Sequence, residues 1–271
     1  RDKNGELFKP MIAGSSIYWT NYLGATNEND QIKYINTWIK NGAKMDLWWM
    51  DAFWHTDFGN WVPDYNRFPT GLKAISDLAA ANNIKTNLWF QPEITAYSKT
   101  ETQKTGNGYS PINPDWIIEG YAKSADTYLL DFSNPDCVND QLQRVITTME
   151  NADISVYYED FNYIVGMDWA AANTANPSRT GMFENLYVQG HYNLWDGLKE
   201  HFPGLPIISC ASGGTRNDLE TMKRAIAGWR VDYYGACNVH AVEKQSATLA
   251  INSWLPYSGS CAVAMNHHPD K

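Results

Sequence analysis

Acidic side chains stand at the ends of several short segments rich in β-branched and aromatic residues, which we predict to be β-strands. Asp51 ends LWWMD, Asp160 follows VYYE and Asp232 follows GWRV. Two carboxyl groups on either side of a sugar carbon can cleave a glycosidic bond, one as nucleophile or base and the other as proton donor. Asp160 and Asp232 are the candidate pair, because their separation of 72 positions corresponds to about two strand–helix units.

Glu159 competes with Asp160 for the role of nucleophile, because both residues end the same predicted strand. Successive side chains of a strand point to opposite faces, so only one of the two can face a shared site. The pattern alone leaves this choice open. It also leaves open that a single Asp at a strand end serves as a helix cap or in a loop ion pair.

The elements that must position these residues alternate between strand and helix along the chain. Such alternation is typical of a parallel sheet built from repeated βα units. The sequence contains no Gly-rich phosphate turn of the doubly wound type, so we predict a TIM-type (β/α)8 barrel with an incomplete last βα unit. The predicted strands are 10–19, 45–51, 85–91, 154–161, 206–211, 228–233 and 250–256, and the predicted helices are 29–41, 71–82, 135–151, 181–201 and 218–227.

The interval between the third and fourth predicted strands is longer than one βα unit. It contains the strand-like segment TYLLDFS at 127–133. Since the active sites of such barrels lie where the strands end, we expect this interval to form an insertion on that face.

Composition argues against several kinds of partner. The formal net charge of −9 disfavours binding to nucleic acid. The sequence contains no run of about 18 apolar residues, the length that a membrane-spanning helix needs. The 12 Trp and 16 Tyr suit a sugar ligand, although large rings also fill cores. The six His and four Cys lack metal-binding spacing, so we expect no metal. We expect no other cofactor either, because chemistry by two carboxyl groups needs none. Compartment, cysteine pairing and oligomeric state stay open.

Several segments together resemble glycoside hydrolase family 36, over nearly the whole chain and in matching order. They are WWMDAFW at 48–54, GNWVPDYNRFPTGLK at 59–73, LWFQPE at 88–93, YEDFN at 158–162, CASGGTRNDLE at 210–220, WRVDYYGA at 229–236 and SWLPYSG at 253–259. Family members are mainly α-galactosidases, with some α-N-acetylgalactosaminidases. The resemblance implies a retaining glycosidase acting on α-galactosides, and a longer multidomain enzyme in which residues 1–271 form one catalytic barrel.

The resemblance also implies roles for individual residues. YEDFN assigns the nucleophile to Asp160 rather than Glu159, and WRVDYYGA places the general acid/base at Asp232. Because Asp232 must hold a proton, we expect Arg230 to face away from it. The sugar pocket would be lined by Asp51, Trp54, Trp61, Trp89, Tyr158, Asn162, Cys210, Gly213 and Arg216. An ion pair between Arg216 and Asp218 that shapes the loop is an alternative role for that arginine.

The chain departs from the family pattern at positions expected to touch the sugar. Tyr158 replaces a commonly basic residue, and Ala52 and Gly235 replace acidic ones. Ile94 stands where many members carry Arg. These departures leave open whether the sugar is galactose or N-acetylgalactosamine. They also leave a second class of function, a carbohydrate-binding barrel without turnover.

Overall fold

The computed structural model describes residues 1–15, 25–118, 127–163 and 165–226, together with positions 246 and 249, and shows an α/β fold with a parallel sheet. In these residues the strands, numbered along the chain, are β1 Ala13–Ser15, β2 Leu47–Met50, β3 Lys85–Phe90, β4 Ile94–Thr95, β5 Ile117–Ile118, β6 Tyr128–Leu130, β7 Val156–Glu159 and β8 Ile207–Ser209. The helices are α1 Glu28–Lys40, α2 Lys73–Ala81, α3 Pro135–Asn151, α4 Gly166–Ala175, α5 Phe183–His201 and α6 Leu219–Arg224.

The main sheet has the order β1-β2-β3-β7-β8, with every neighbouring pair parallel. Strand order therefore follows chain order, without the reversal that marks a doubly wound sheet. The remaining strands form a small antiparallel sheet in the order β4-β6-β5. It begins just after the carboxyl end of β3, as expected for the insertion.

Residues close in the chain fix the starts of helices α1 and α3. Asn27 and Asp30 form a capping box at α1, in which each side chain accepts a hydrogen bond from the backbone N–H of the other. Asn134 caps α3, and Pro135 follows at the first helical position, where its missing N–H costs no helical hydrogen bond. These short-range signals explain why the starts of both helices were predictable to within one residue.

The register of the parallel strands sorts their side chains onto two faces. Trp89 pairs with Tyr158, and Tyr158 pairs with Ile208, so these residues share one face. We call it the site face; at its carboxyl edge it presents Asp51, Asp160 and Cys210. The opposite face, which we call the helix face, carries Trp48, Phe90, Tyr157 and Glu159.

Large aromatic side chains dominate the core. The biggest side chains with almost no exposed surface include Trp48, Trp54, Trp61, Trp195 and Tyr157. Burying each ring contributes about 2–3 kcal/mol relative to leaving it in water. In the described part of the chain, none of the helices combines the length and apolarity needed to cross a bilayer.

The described residues confirm five of the seven predicted strands and all five predicted helices, with shifts at their ends. Helix α4 was not predicted, because GMDWAAANTA lacks a clear alternation of apolar and polar faces. The predicted strands 228–233 and 250–256 lie outside the described residues.

Candidate active site

Asp160 follows β7 directly and extends the site face at its carboxyl edge. Its backbone N–H donates to Phe90 O at 2.9 Å, which continues the pairing with β3. One carboxylate oxygen accepts from Trp89 Nε1 at 3.3 Å and from Asn162 Nδ2 at 2.6 Å. The other accepts from the Phe161 backbone N–H at 2.8 Å. Three donors from two neighbouring segments therefore hold the carboxylate in one place.

Asp51, Tyr158 and Cys210 lie around this carboxylate. The Tyr158 ring packs on Trp49 with 4.6 Å between centroids, and Trp49 Nε1 donates to Asp51 Oδ2 at 2.9 Å. Burial, with the negative charge of Asp51 beside it, raises the pKa of Tyr158 well above its ordinary value. The phenol therefore stays a neutral hydrogen-bonding group at physiological pH, at a position where the motif resemblance implies a basic residue.

Glu159 points away from Asp160, onto the helix face. Its Oε2 accepts from Tyr157 Oη at 2.5 Å and from Trp195 Nε1 at 2.8 Å, and its Oε1 lies 2.5 Å from His191 Nε2. His191 and Trp195 both belong to α5. The expectation that only one of the two neighbouring carboxylates faces the site is confirmed, and the one that does is Asp160.

Arg216 forms an ion pair with Glu93. Its two terminal nitrogens lie 2.5 and 2.9 Å from the two Glu93 oxygens, and its guanidinium stacks on the Phe161 ring at 3.9 Å. Burial alone would raise the pKa of Glu93, but the guanidinium holds it below its ordinary value. The alternative pairing of Arg216 with Asp218 was wrong, because Asp218 instead caps α6 by accepting from the Thr221 N–H.

Glu93, Glu159 and His191 form a buried group whose potential metal-ligand atoms lie within 4.8 Å of one another. Both oxygens of each carboxylate already accept hydrogen bonds, and the guanidinium of Arg216 lies beside Glu93. A cation placed there would face a fixed positive charge and would displace existing donors. We therefore interpret Glu93, Glu159, His191 and Arg216 as an ion network and not as a metal centre.

Trp54 and Trp61 lie behind Trp89 rather than at open surface. Trp54 Nε1 donates to Trp89 O at 2.8 Å, and Trp61 Nε1 donates to Gln141 Oε1 at 3.0 Å on α3. With both N–H groups used inside the protein, the geometry favours a role in supporting Trp89 over direct contact with a sugar.

His55 is enclosed by the rings of Trp54, Phe58, Trp61 and Trp89, which together with it we call the aromatic cage. Its ring stacks on Trp89 with an interplanar angle of 9° and 5.8 Å between centroids. The Asp57 backbone lies nearby, but neither ring nitrogen makes a hydrogen bond of ordinary geometry to a described residue. Burial lowers the pKa of His55 to about 4.

The loop after β8 approaches the site from the other side. Gly213 is buried with φ 88°, a conformation that suits glycine, and Ser212 Oγ donates to Asn162 Oδ1 at 3.0 Å. Asn162 therefore links this loop to Asp160. Among the remaining predicted site residues, Asp232, Arg230 and Gly235 lie outside the described residues.

The sequence patterns predict no role for His191 or His55, because neither histidine has the spacing of a metal ligand. A usable signal exists for His191: Tyr187, His191 and Trp195 follow one another at four-residue spacing on the buried side of α5. A polar residue in such a stripe needs a buried partner. For His55 the short segment around it offers no comparable pattern.

Comparison with protein families and curated proteins gives one consistent result. A family model described as Melibiase matches residues 44–260. The α-galactosidase of Escherichia coli is 25% identical over 202 residues, which cover 73% of this chain and 26% of that protein. The probable α-galactosidase C of Aspergillus terreus is 28% identical over 203 residues, covering 69% of this chain and 25% of that protein. The chain thus spans about a quarter of the length of these curated relatives.

Solved structures show the same fold. A substituted form of the family 36 α-galactosidase AgaA from Geobacillus stearothermophilus, in complex with stachyose, matches with a TM-score of 0.74 at 20% identity. The match covers 96% of this chain and 36% of that one.

Proposed function

We propose, from the premise that this chain belongs to the melibiase family, that it carries the catalytic site of a retaining α-galactosidase. Asp160 is the proposed nucleophile and Asp232 the proposed general acid/base. The membership agrees with the resemblance of its motifs to glycoside hydrolase family 36.

The observation that carries the proposal is the setting of Asp160. Its carboxylate lies at the carboxyl edge of the site face, held by Trp89, Asn162 and the Phe161 N–H. Asp51 and Tyr158 stand beside it as groups that can hydrogen-bond sugar hydroxyls. A nucleophile must approach the anomeric carbon along a defined line, so a carboxylate fixed by three donors suits this chemistry.

In the proposed reaction an oxygen of Asp160 forms a bond to the anomeric carbon while the bond from that carbon to the leaving oxygen breaks. Asp232 gives its proton to the leaving oxygen. It then takes a proton from water, whose oxygen attacks the anomeric carbon and releases Asp160. Two displacements at the same carbon return the α configuration.

The wider architecture is also part of the proposal. The sequential order of five parallel strands supports a TIM-type barrel, in which 228–233 and 250–256 remain predicted strands. We propose that residues 1–271 form one catalytic domain of a longer protein. The substrates would be terminal α-galactosides of oligosaccharides, by analogy with AgaA, whose structure holds stachyose.

The test is hydrolysis of 4-nitrophenyl α-galactoside by the wild type and by Asp160→Ala, with and without azide. The variant should lose activity by about 10³-fold or more, because no other group can form the covalent intermediate. Azide fits the space left by the carboxylate, so it should restore turnover and yield β-galactosyl azide.

Glu159→Gln is the matched control, since it alters the neighbouring carboxylate on the other face. Azide should not increase its activity. Wild-type turnover of the α-N-acetylgalactosaminide alone would change the assigned sugar, and inactivity on both substrates would reject the proposed enzyme. Azide rescue of a Glu159 variant, with none for Asp160→Ala, would reassign the nucleophile.

A further inference from the structure

We propose that the ion network is a positioning device for Asp160, and that His191, together with Trp195, ties helix α5 to Glu159 and so holds that carboxylate in place. The inference rests on the proposed function, because it specifies how the nucleophile of that site is aligned. Neither His191 nor Glu93 touches Asp160, so both act through other residues.

The network holds the residues on both sides of Asp160 in the chain. Glu159, immediately before it, is bound by side chains from α5 and by Tyr157. Phe161, immediately after it, lies beneath the guanidinium of Arg216 at 3.9 Å. Fixing both neighbours leaves the backbone of Asp160 little freedom to move.

Four separate parts of the chain meet in the network. Glu93 lies between β3 and β4, Glu159 ends β7, His191 lies on α5, and Arg216 lies in the loop after β8. The Cys210 N–H also donates to Glu159 O at 2.7 Å, which ties the start of that loop to the same residue. A change at any member therefore reaches the end of β7.

His191 is the member best suited to a test. Its Nε2 lies 2.5 Å from Glu159 Oε1, and its ring is almost fully buried. Without it, Glu159 Oε1 would be left buried with no described partner, and this loss favours rearrangement of the strand end. Displacing a reacting group by about 1 Å lowers rates by about 10²-fold.

The experiment measures kcat and KM for α-galactoside hydrolysis by His191→Leu and His191→Gln. We expect kcat to fall by about 10- to 100-fold in His191→Leu, with KM within about threefold, because the nucleophile and not the sugar contacts is displaced. The Gln amide can donate from nearly the same position as Nε2, so His191→Gln should recover most of kcat.

His201→Leu is the matched control on the same helix. His201 Nε2 lies 2.8 Å from Glu150 Oε1, but both side chains are about half exposed, and the pair joins α5 to α3. Its loss should leave kcat unchanged. If His191→Leu does not fold, Tyr157→Phe tests the network in its place. It removes another hydrogen-bond donor to Glu159 with little change in side-chain volume.

A double-variant experiment separates positioning from general damage. In an Asp160→Gly background azide supplies the nucleophile and needs no alignment by β7. Adding His191→Leu should then change the azide-supported rate by no more than about twofold. An equal loss of rate in both backgrounds would overturn the proposal.

Crystal structures of the same variants decide the inference independently of turnover. We expect the Asp160 carboxylate of His191→Leu to lose its contact with Trp89 or Asn162. If the carboxylate keeps both contacts, the inference fails even where the enzyme is active. If the wild type hydrolyses no α-galactoside, the proposed function fails. The position of the Asp160 carboxylate in His191→Leu still tests whether the network positions it.

Discussion

Two buried histidines flank Asp160 in opposite environments. His191 belongs to the ion network and lies 2.5 Å from a carboxylate oxygen of Glu159. His55 belongs to the aromatic cage, where its ring stacks on Trp89, the indole that donates to Asp160. One histidine reaches the candidate nucleophile through hydrogen bonds to its neighbour in the chain, and the other through ring packing.

The difference shows two ways of accommodating a polar ring in a core. The ion network pairs Glu93 with the charge of Arg216 and gives each carboxylate oxygen a hydrogen-bond partner, so it depends on every member being present. The aromatic cage instead keeps His55 neutral, since burial lowers its pKa to about 4. We therefore expect the network to be sensitive to substitution and the cage to be sensitive to acid.

The largest effect should follow from breaking the ion network at Arg216. Arg216→Met leaves the Glu93 carboxylate buried without its counter-charge, and we expect a loss of about 3–5 kcal/mol in the free energy of unfolding. Urea denaturation measures it. The control is Arg224→Met, which removes the pairs with Asp196 and Glu220 on the surface and should cost about 1 kcal/mol or less.

Lowering the pH should destabilise the folded protein through His55 in the aromatic cage. The unfolded chain protonates His55 near its ordinary pKa of 6.5, whereas the folded protein does so only near 4. Protons therefore favour unfolding as pH falls from 6.5 towards 4, and the contribution reaches about 3 kcal/mol.

Comparing the wild type with His55→Phe isolates this contribution, because other titrating groups are common to both proteins. Urea denaturation at a series of pH values should show the wild type losing stability more steeply below pH 6.5. Parallel curves for the two proteins would contradict the assignment of a lowered pKa to His55.

A smaller loss of stability should follow from a substitution that displaces helix α5. This helix carries His191 but no residue of the aromatic cage. A Cβ at Gly190 would lie 1.8 Å from the Phe132 backbone oxygen, so Gly190→Ala must push the helix away and should cost about 2 kcal/mol. At Gly197 the same atom would meet only the flexible Leu142 side chain.

Gly197→Ala is therefore the control, and the better helix propensity of Ala should bring its cost near zero. Thermal unfolding with parallel kcat measurements compares the two variants. Equal stability of both would show that α5 is not held tightly against the residues before α3.

The sequence predicts helices and strands correctly where the signal comes from residues close together in the chain. The capped starts of α1, α3 and α6 and the five described strands of the main sheet were predicted, because caps and strand patterns involve residues a few positions apart. Helix α4 was missed, since its small and apolar residues show no clear sided pattern. The roles of Asp160 and Asp232 remain proposals that came from motif resemblance and not from spacing alone.

The sequence by itself determined which carboxylates end the strands, and alternation required Glu159 and Asp160 to face opposite ways. Alternation alone did not choose between them; the motif resemblance favoured Asp160, and the tertiary structure places Asp160 on the site face and Glu159 on the helix face. It also decided that Arg216 pairs with Glu93, 123 positions away, and that His191 meets Glu159. The physical reason is that caps and strand alternation depend on neighbours in the chain, whereas a buried charge takes whichever partner packing brings within hydrogen-bond distance.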